Sequence, residues 1–551
     1  MNVRIACLLL ATVALAAPAT AQRPATAARY EGPISPARLS ADVKTLASDA
    51  FAGRAPGTAG EEKTINWLIA QFRAAGLEPG GRAGSWTQDV PLVRTQLEQG
   101  TISANGAALI QNRDVYVSTV RPVDHVRIDA APMVFVGYGV TAPERQWDDF
   151  KGVDLQGKVA VFLVNDPDFE AAAGEPVAGV FGNRRMTYYG RWTYKFEEAA
   201  RRGAIAALIV HDTAGAGYGW ATVMAPAGEN YDVASPSASR VLLQGWLEGV
   251  AATRLFAAAG QNLAGLRIAA RRRDFRPVPL RGTGLSADLP ARFTRATSRN
   301  VLARLPGTTR PDEVVMFGAH WDAYGEGKPD AQGRTIRPGA NDDALGVAGL
   351  LEIARIAARR PRSPRSLVFG LWTGEERGLL GSETYAADPI YPAAKTVANL
   401  TLDILQTAGP ARDVMLVGDG QNQLETLLGE AARSQGRTVT PEALPERGLF
   451  YRADHFSLAR RGVPTLLLMA ISGAPDLVAG GRAAGQAWLD DYMRCYHQTC
   501  DVWSSAWDLR GAAADVDLIA QVGATLAESD LWPEWNSTSE FHAIRAKSRL
   551  R

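Results

Sequence analysis

The run EVVMFGAHWD (313–322), followed by ALGVAGLLEIARIAARR (344–360) and RSLVFGLWTGEE (365–376), decides the fold. The outer two are apolar runs of strand length. The middle one has helical period, with Leu345, Ala348, Leu351 and Ile353 mostly on one face. The alternation starts at NVLARLPG (300–307) and continues through GLLGSETYAA (378–387), TVANLTLDIL (396–405), DVMLVG (413–418), LETLLGEAARSQG (424–436), VPTLLLMA (463–470) and a helix over roughly 508–528. Strand–helix alternation predicts an α/β fold, a mostly parallel or mixed twisted sheet flanked by helices. Its functional residues are expected at the C-terminal ends of the strands.

Those ends carry acids and imidazoles. GAHWDAY holds His320 and Asp322; PGANDDALG holds Asp342 and Asp343; WTGEERG holds Glu375 and Glu376; LTLDI holds Asp403; CYHQTCD holds His497 and Asp501. Singly, each has a plain structural explanation. His320 could be a hydrogen-bonded strand-end histidine, Asp342 and Asp343 could cap the next helix, and Glu375–Glu376 could sit in an exposed turn. Asp403 lies in a run with no other charge, where desolvation must be offset by a metal or an ion pair. Asp322 could orient His320, and Asp501 could orient His497. His455, in YRADHFSLARRGVP, competes with His497 for the last position. Five such stations in succession suggest two cations sharing a bridging carboxylate.

The chain has 551 residues, too long for one core, and Lys+Arg 59 against Asp+Glu 58 gives no basic excess for nucleic acid or anionic membrane. The N-terminus reads as a signal peptide over 1–21: Arg4, an apolar run Ile5–Ala17, and Ala19-Thr20-Ala21 as cleavage site. A periplasmic or secreted protein without a membrane anchor is expected. Export would leave Cys495 and Cys500 in an oxidising compartment, where a disulfide is expected; the other reading is two thiolate ligands.

Near the N-terminus, ARLSADVKTLAS (37–48) and EEKTINWLIAQFRAAGL (61–77) read as helices around the loop FAGRAPGTAG (51–60). Residues 86–110 alternate like hairpin strands. Short apolar runs then recur at 131–140, 157–166, 204–212 and 239–245, which predicts a compact mixed β unit over about 115–280. Its exit, Arg271 to Arg273 with Arg276, reads as a solvated linker.

The motifs FAGRAPGTAG, GAHWD, PGANDDALG, the tandem glutamates, LD and YHQTCD, in this order, resemble the co-catalytic zinc aminopeptidases of metallopeptidase family 28, a zinc exopeptidase-like fold. Secreted bacterial aminopeptidases, glutamate carboxypeptidases, glutaminyl cyclases and the transferrin receptor belong to that family. The resemblance implies two Zn2+ ions and peptide substrates. His320 and Asp403 would hold one ion, Glu376 and His497 the other, and Asp342 both. Glu375 would be the general base, Tyr496 the oxyanion donor and Asp322 a support for His320. His455 would be a nearby residue that does not bind metal; Ala453 stands where the family's SDH-like element has Ser. The CYHQTCD loop is similar to a disulfide-bracketed version in some secreted members.

The segment 134–167 resembles the protease-associated (PA) domain inserted in many members. The implied organisation is a signal peptide at 1–21, a zinc peptidase domain at 22–114 and 281–551, and a PA insertion at 115–280. A carboxypeptidase or dipeptidase of the same fold stays open, with Arg452 and Arg447 as carboxylate-binding candidates. A single-zinc glutaminyl cyclase and an inactive binding protein are the remaining alternatives.

Overall fold

The computed structural model describes residues 32–224, 228–234 and 239–549; the signal-peptide expectation for 1–21 lies outside them. The fold is mixed α/β. Its central sheet orders the strands Thr465–Leu468, Thr396–Leu402, Arg310–His320, Arg365–Trp372 and Val278–Leu305. The first four are mutually parallel, and Val278–Leu305 runs antiparallel to Arg365–Trp372. Fully apolar burial of the parallel strands on both faces explains their unbroken hydrophobic runs. Helices Leu345–Arg359 and Arg510–Glu528 pack their apolar sides onto Phe317, Phe369 and Leu400 in one core.

Register fixes where the chemistry emerges. His320 pairs with Trp372, and Gly318 sits between Gly370 and Thr401 on its two neighbours. Three adjacent parallel strands therefore end level, and the residues that follow them, including Glu375 and Asp403, leave by the same edge.

DVMLVG touches this sheet only through an isolated antiparallel bridge from Val417 to Leu467. Asp413–Leu416 pairs in parallel only with Thr438–Pro441, forming a separate ribbon. Its apolar run is long enough for a strand but carries no information on the partner. The helix Gly481–Cys495, which delivers Tyr496 and His497, has no counterpart in the sequence reading; only two of its residues are buried, so it lacks a strong apolar stripe.

A second sheet layer, His125–Phe135, Val159–Leu163, Ala206–Val210, Leu243–Leu247 and Val115–Ser118, has its own apolar core. Val278–Leu305, 28 residues long, belongs to both sheets. Residue 280 thus lies inside a continuous strand. Glu229–Val233 also pairs with Thr87–Leu97 beside the central sheet. The basic run is not a free linker: Arg271 pairs with Glu170, Arg272 with Asp274, and Arg273 lies over Trp147.

Candidate metal centre

The turn after Pro338 brings the stations together. Gly339 has φ +55°, and a Cβ there would stand 2.1 Å from the main-chain oxygen of Asp342, so a side chain is incompatible with the turn. The Asp342–Asp343 peptide is cis. Arg54, from the FAGRAPGTAG loop, is fully buried and donates to the carbonyls of Trp321, Leu46, Pro338 and Gly339, tying the turn to the His320 strand.

Two donor groups result: His320, Asp343 and Asp403 in one, and Asp342, Glu376 and His497 in the other. Asp342 touches both, with Oδ1 3.1 Å from His320 Nε2 and Oδ2 3.1 Å from His497 Nε2. Glu376 Oε2 is also 3.1 Å from His497 Nε2, and Asp403 Oδ1 is 4.0 Å from His320 Nε2. Asp343 has other obligations, since its oxygens accept from the main-chain N–H groups of His320, Gly346 and Ile404. Glu375 Oε2 stands 3.9 Å from His320 Nε2, outside both groups.

The supporting residues act differently from the sequence reading. Asp322 does support the site, but its main-chain oxygen is the nearer neighbour of His320 Nδ1, at 3.1 Å, against 3.7 Å for the carboxylate. The carboxylate instead accepts from the Glu375 N–H. Asp501 accepts from the N–H groups of Asn341 and Asp342, so it fixes the turn; no contact joins it to the His497 ring among the described residues. His455 is buried edge-on to Phe450, 4.7 Å between ring centroids, and joins neither donor group. Burial pushes its imidazole down to about 3, so it is neutral. Cys495 and Cys500 form a disulfide around the His497 loop.

Three residues escaped the sequence reading. Tyr324 and Tyr496 both pack on the His497 ring, at 4.6 and 3.6 Å between centroids. Asp454 is buried behind Glu375 and Asp403 and is pushed up to about 7 by burial. Arg54 looked like a loop arginine. An acid directly before His455 was a usable signal for Asp454; nothing in the sequence marks Tyr324 or Arg54.

The electrostatics demand positive charge. Burial, then neighbouring carboxylates, hold Glu375, Glu376 and Asp343 well above the usual carboxylate range, and Asp403 rises to about 7. Burial opposes charge on His320, but Glu375, Asp322 and Asp342 outweigh it and raise the imidazole. Asp342 goes down, because the two imidazoles overcome its burial. His320 Nε2 and Asp403 Oδ1 are sealed from solvent without a hydrogen-bond partner. Two donors bound to one tetrahedral zinc at about 2.0–2.1 Å stand roughly 3.3 Å apart, close to the 3.1 Å seen here. A mixed imidazole–carboxylate set with orphaned donors and excess negative charge fits divalent cations of the zinc type.

Known proteins are similar to parts of this chain. Leupeptin-inactivating enzyme 1 of Streptomyces exfoliatus is 29% identical over 208 residues, covering 37% of this chain and 43% of that protein. Aminopeptidase Y of Saccharomyces cerevisiae is 28% identical over 227 residues, covering 40% and 37% respectively. The chain thus spans less than half the length of either relative. A solved aminopeptidase from Aneurinibacillus sp. strain AM-1 aligns over 90% of this chain and 94% of its own, at 21% identity and TM-score 0.49. Residues 300–521, which contain every donor named above, match the model of peptidase family M28.

Proposed function

We propose that this chain is an exported zinc metallopeptidase that removes N-terminal residues from peptides. The observation that carries the reading is the posture of Asp342, whose two oxygens each face the Nε2 of a different histidine. His320 and Asp403 would hold one zinc ion, Glu376 and His497 a second, and Asp342 both. Asp343, committed to three backbone amides, stays a scaffold for the turn. Bound zinc would supply Lewis acidity at the scissile carbonyl and make attacking water more acidic.

Glu375 stands beside both donor groups and belongs to neither, the position of a general base. Burial and the carboxylates of Asp403 and Asp454 raise its affinity for a proton. It accepts the proton of the attacking water and passes it to the leaving amine. Tyr496 keeps its phenolic proton, since burial holds it well above the usual tyrosine range, and can donate to the oxyanion. The acidic surroundings favour a free, cationic substrate amine. The disulfide at Cys495–Cys500 accords with export, and no helix among the described residues is long and apolar enough to cross a membrane.

The unit over 115–280 reads as a PA domain seated on the peptidase domain at 22–114 and 281–551. Tyr188 from that unit packs on Tyr451 and Phe456, and Arg460 pairs with Glu197 across the seam. This position suits a cleft wall that limits substrate size.

A panel of aminoacyl anilides, free peptides and N-blocked peptides, run on zinc-loaded full-length protein, tests the proposal. Cleavage of free N-termini is expected; cleavage of blocked peptides alone rejects it.

A further inference from the structure

One strand of this protein is paired along both flanks near its ends and bare in the middle. Val278–Leu305 joins the two sheets, yet residues 292–297 are exposed one after another, and Phe293 keeps 40% of its surface in water. Strand residues on a packed sheet alternate between a buried and a wet face. An unbroken exposed run inside a strand means that little packs on either face.

The edge of this stretch is open as well. Val301 pairs with Thr87 on one side and Leu371 on the other. The Leu302 N–H reaches the carbonyl of Trp86, next to Thr87, whereas the Ala291 N–H turns the other way, to the carbonyl of Asp124. In an antiparallel ladder both main-chain groups of a residue point to the same side, and successive residues alternate. Even-numbered residues therefore face Thr87–Leu97 and odd-numbered ones face away. On that far side, pairing with Arg365–Trp372 starts at Val301, and pairing with His125–Phe135 ends at Pro290. The Arg299 carbonyl accepts from the Trp321 indole. The N–H and C=O groups of Phe293, Arg295 and Thr297 have no partner among the described residues.

This open edge begins at the metal centre. Arg365–Trp372 runs antiparallel to the strand, so the chain leaving Trp372 continues alongside it. The Thr373 N–H donates to Asn300 Oδ1, and the hydroxyls of Thr373 and Ser298 lie 2.6 Å apart. Glu375 follows two residues later, and Trp321, which meets Arg299, directly follows His320. Thr297 is thus the first unpaired position beyond the ends of two strands that lead into the site. From Thr297 to Phe293 the edge runs for about 13 Å, at about 3.3 Å per residue.

A row of unpaired N–H and C=O groups is a template for another extended chain. A peptide held at the metal centre brings such a chain to the near end of the row, and this continuity selects the occupant. We propose that Phe293, Arg295 and Thr297 bind the main chain of the substrate as an added β-strand, and that the preferred substrates are extended peptides reaching several residues beyond the cleaved bond. This rests on the peptidase reading above. Main-chain recognition makes the preference one of length and backbone, with side chains secondary.

The test uses zinc-loaded full-length protein and the N-terminal residue that gives the fastest anilide turnover. KM is measured for that residue in a dipeptide amide and in a hexapeptide amide of alanine and serine. The hexapeptide is expected to have a KM about tenfold lower, the effect of one or two main-chain hydrogen bonds. Methylating its amide nitrogens one at a time, from the third residue to the sixth, should raise KM at every second position only. Arg295→Pro removes an N–H from the open side and none from the ladder, and should bring the two KM values together. Arg295→Ala keeps that N–H and should keep the difference. Equal loss in both variants assigns the effect to the side chain and overturns the proposal. Methylation without alternation, or equal KM values in the unaltered protein, overturns it without any variant, should Arg295→Pro prevent folding. A dimer in sedimentation that Arg295→Pro dissolves would give the edge to a second copy of the chain and also overturn it. Anilide cleavage with no length effect rejects the edge alone; no turnover on any substrate rejects the peptidase reading and the edge with it.

Discussion

Both halves of this molecule bury carboxylates, but they treat them differently. In the unit over about 115–280, Asp149 accepts from the Val140 N–H and the Trp147 indole, Asp166 from the Thr187 main chain and hydroxyl, and Asp168 from the N–H groups of Phe181, Gly182 and Asn183. Lys195, equally buried, donates to the carbonyls of Tyr138 and Asn165 close by. Around the candidate metal centre, Asp342, Glu376, Asp403 and Glu375 face two imidazoles across gaps of 3.1 to 4.0 Å. Their supporting residues, Arg54 and Asp501, hold backbone and leave the donors bare. The first cluster is satisfied by the chain itself except at Asp168 Oδ1. The second is shaped by the chain for charge that arrives from outside.

The sharpest break of this contrast is chemical. Glu375→Gln should lower kcat about a hundred- to ten-thousand-fold while zinc content stays that of the unaltered protein; near-normal turnover would show that the base lies elsewhere. Asp342→Ala should lower zinc content from about two ions per chain to fewer than one, read by elemental analysis.

Chelation should separate the halves. Zinc present at a hundred times its Kd stabilises the fold that binds it by about 2.7 kcal/mol. Its removal should speed hydrogen exchange at the Asn341 and Asp342 amides and leave the Phe181–Asn183 amides unchanged. Equal acceleration in both regions would contradict the contrast.

Protonation should act on the unit over about 115–280. Burial raises Asp149 from 3.8 to about 7. Between those values the folded form binds a proton that the unfolded chain has lost, so this contribution to stability is full below pH 4 and disappears as pH rises to 7. The loss is on the order of 2–4 kcal/mol. Denaturant titrations across this window should show the slope, and Asp149→Asn should flatten it.

The smallest effect is expected at the disulfide. Closing a loop of this size contributes about 2 kcal/mol, so Cys495→Ser with Cys500→Ser should lower stability modestly. The same change should weaken retention of one zinc more than the other, because only His497 sits in the loop.

Much of this was legible in the sequence. Apolar runs ending in His320, Glu375 and Asp403 marked strand ends, because a buried parallel strand must be hydrophobic throughout and only its terminus tolerates charge. What such runs cannot encode is the partner: DVMLVG had strand character yet formed its own ribbon with Thr438–Pro441. Side-chain assignments failed where an acid had two uses. Asp501 could serve an imidazole or a backbone turn, and only the path of 338–342 decided for the turn. Arg54 was invisible for the same reason, since its four acceptors are carbonyls, which every residue carries.

The most direct measurement is anomalous X-ray diffraction at the zinc edge from crystals of the full-length zinc-loaded protein. Two peaks about 3.5–4 Å apart are expected, with Asp342 between them, His320 and Asp403 on one and Glu376 and His497 on the other. A single peak, or zinc bound away from Asp342, would contradict the account.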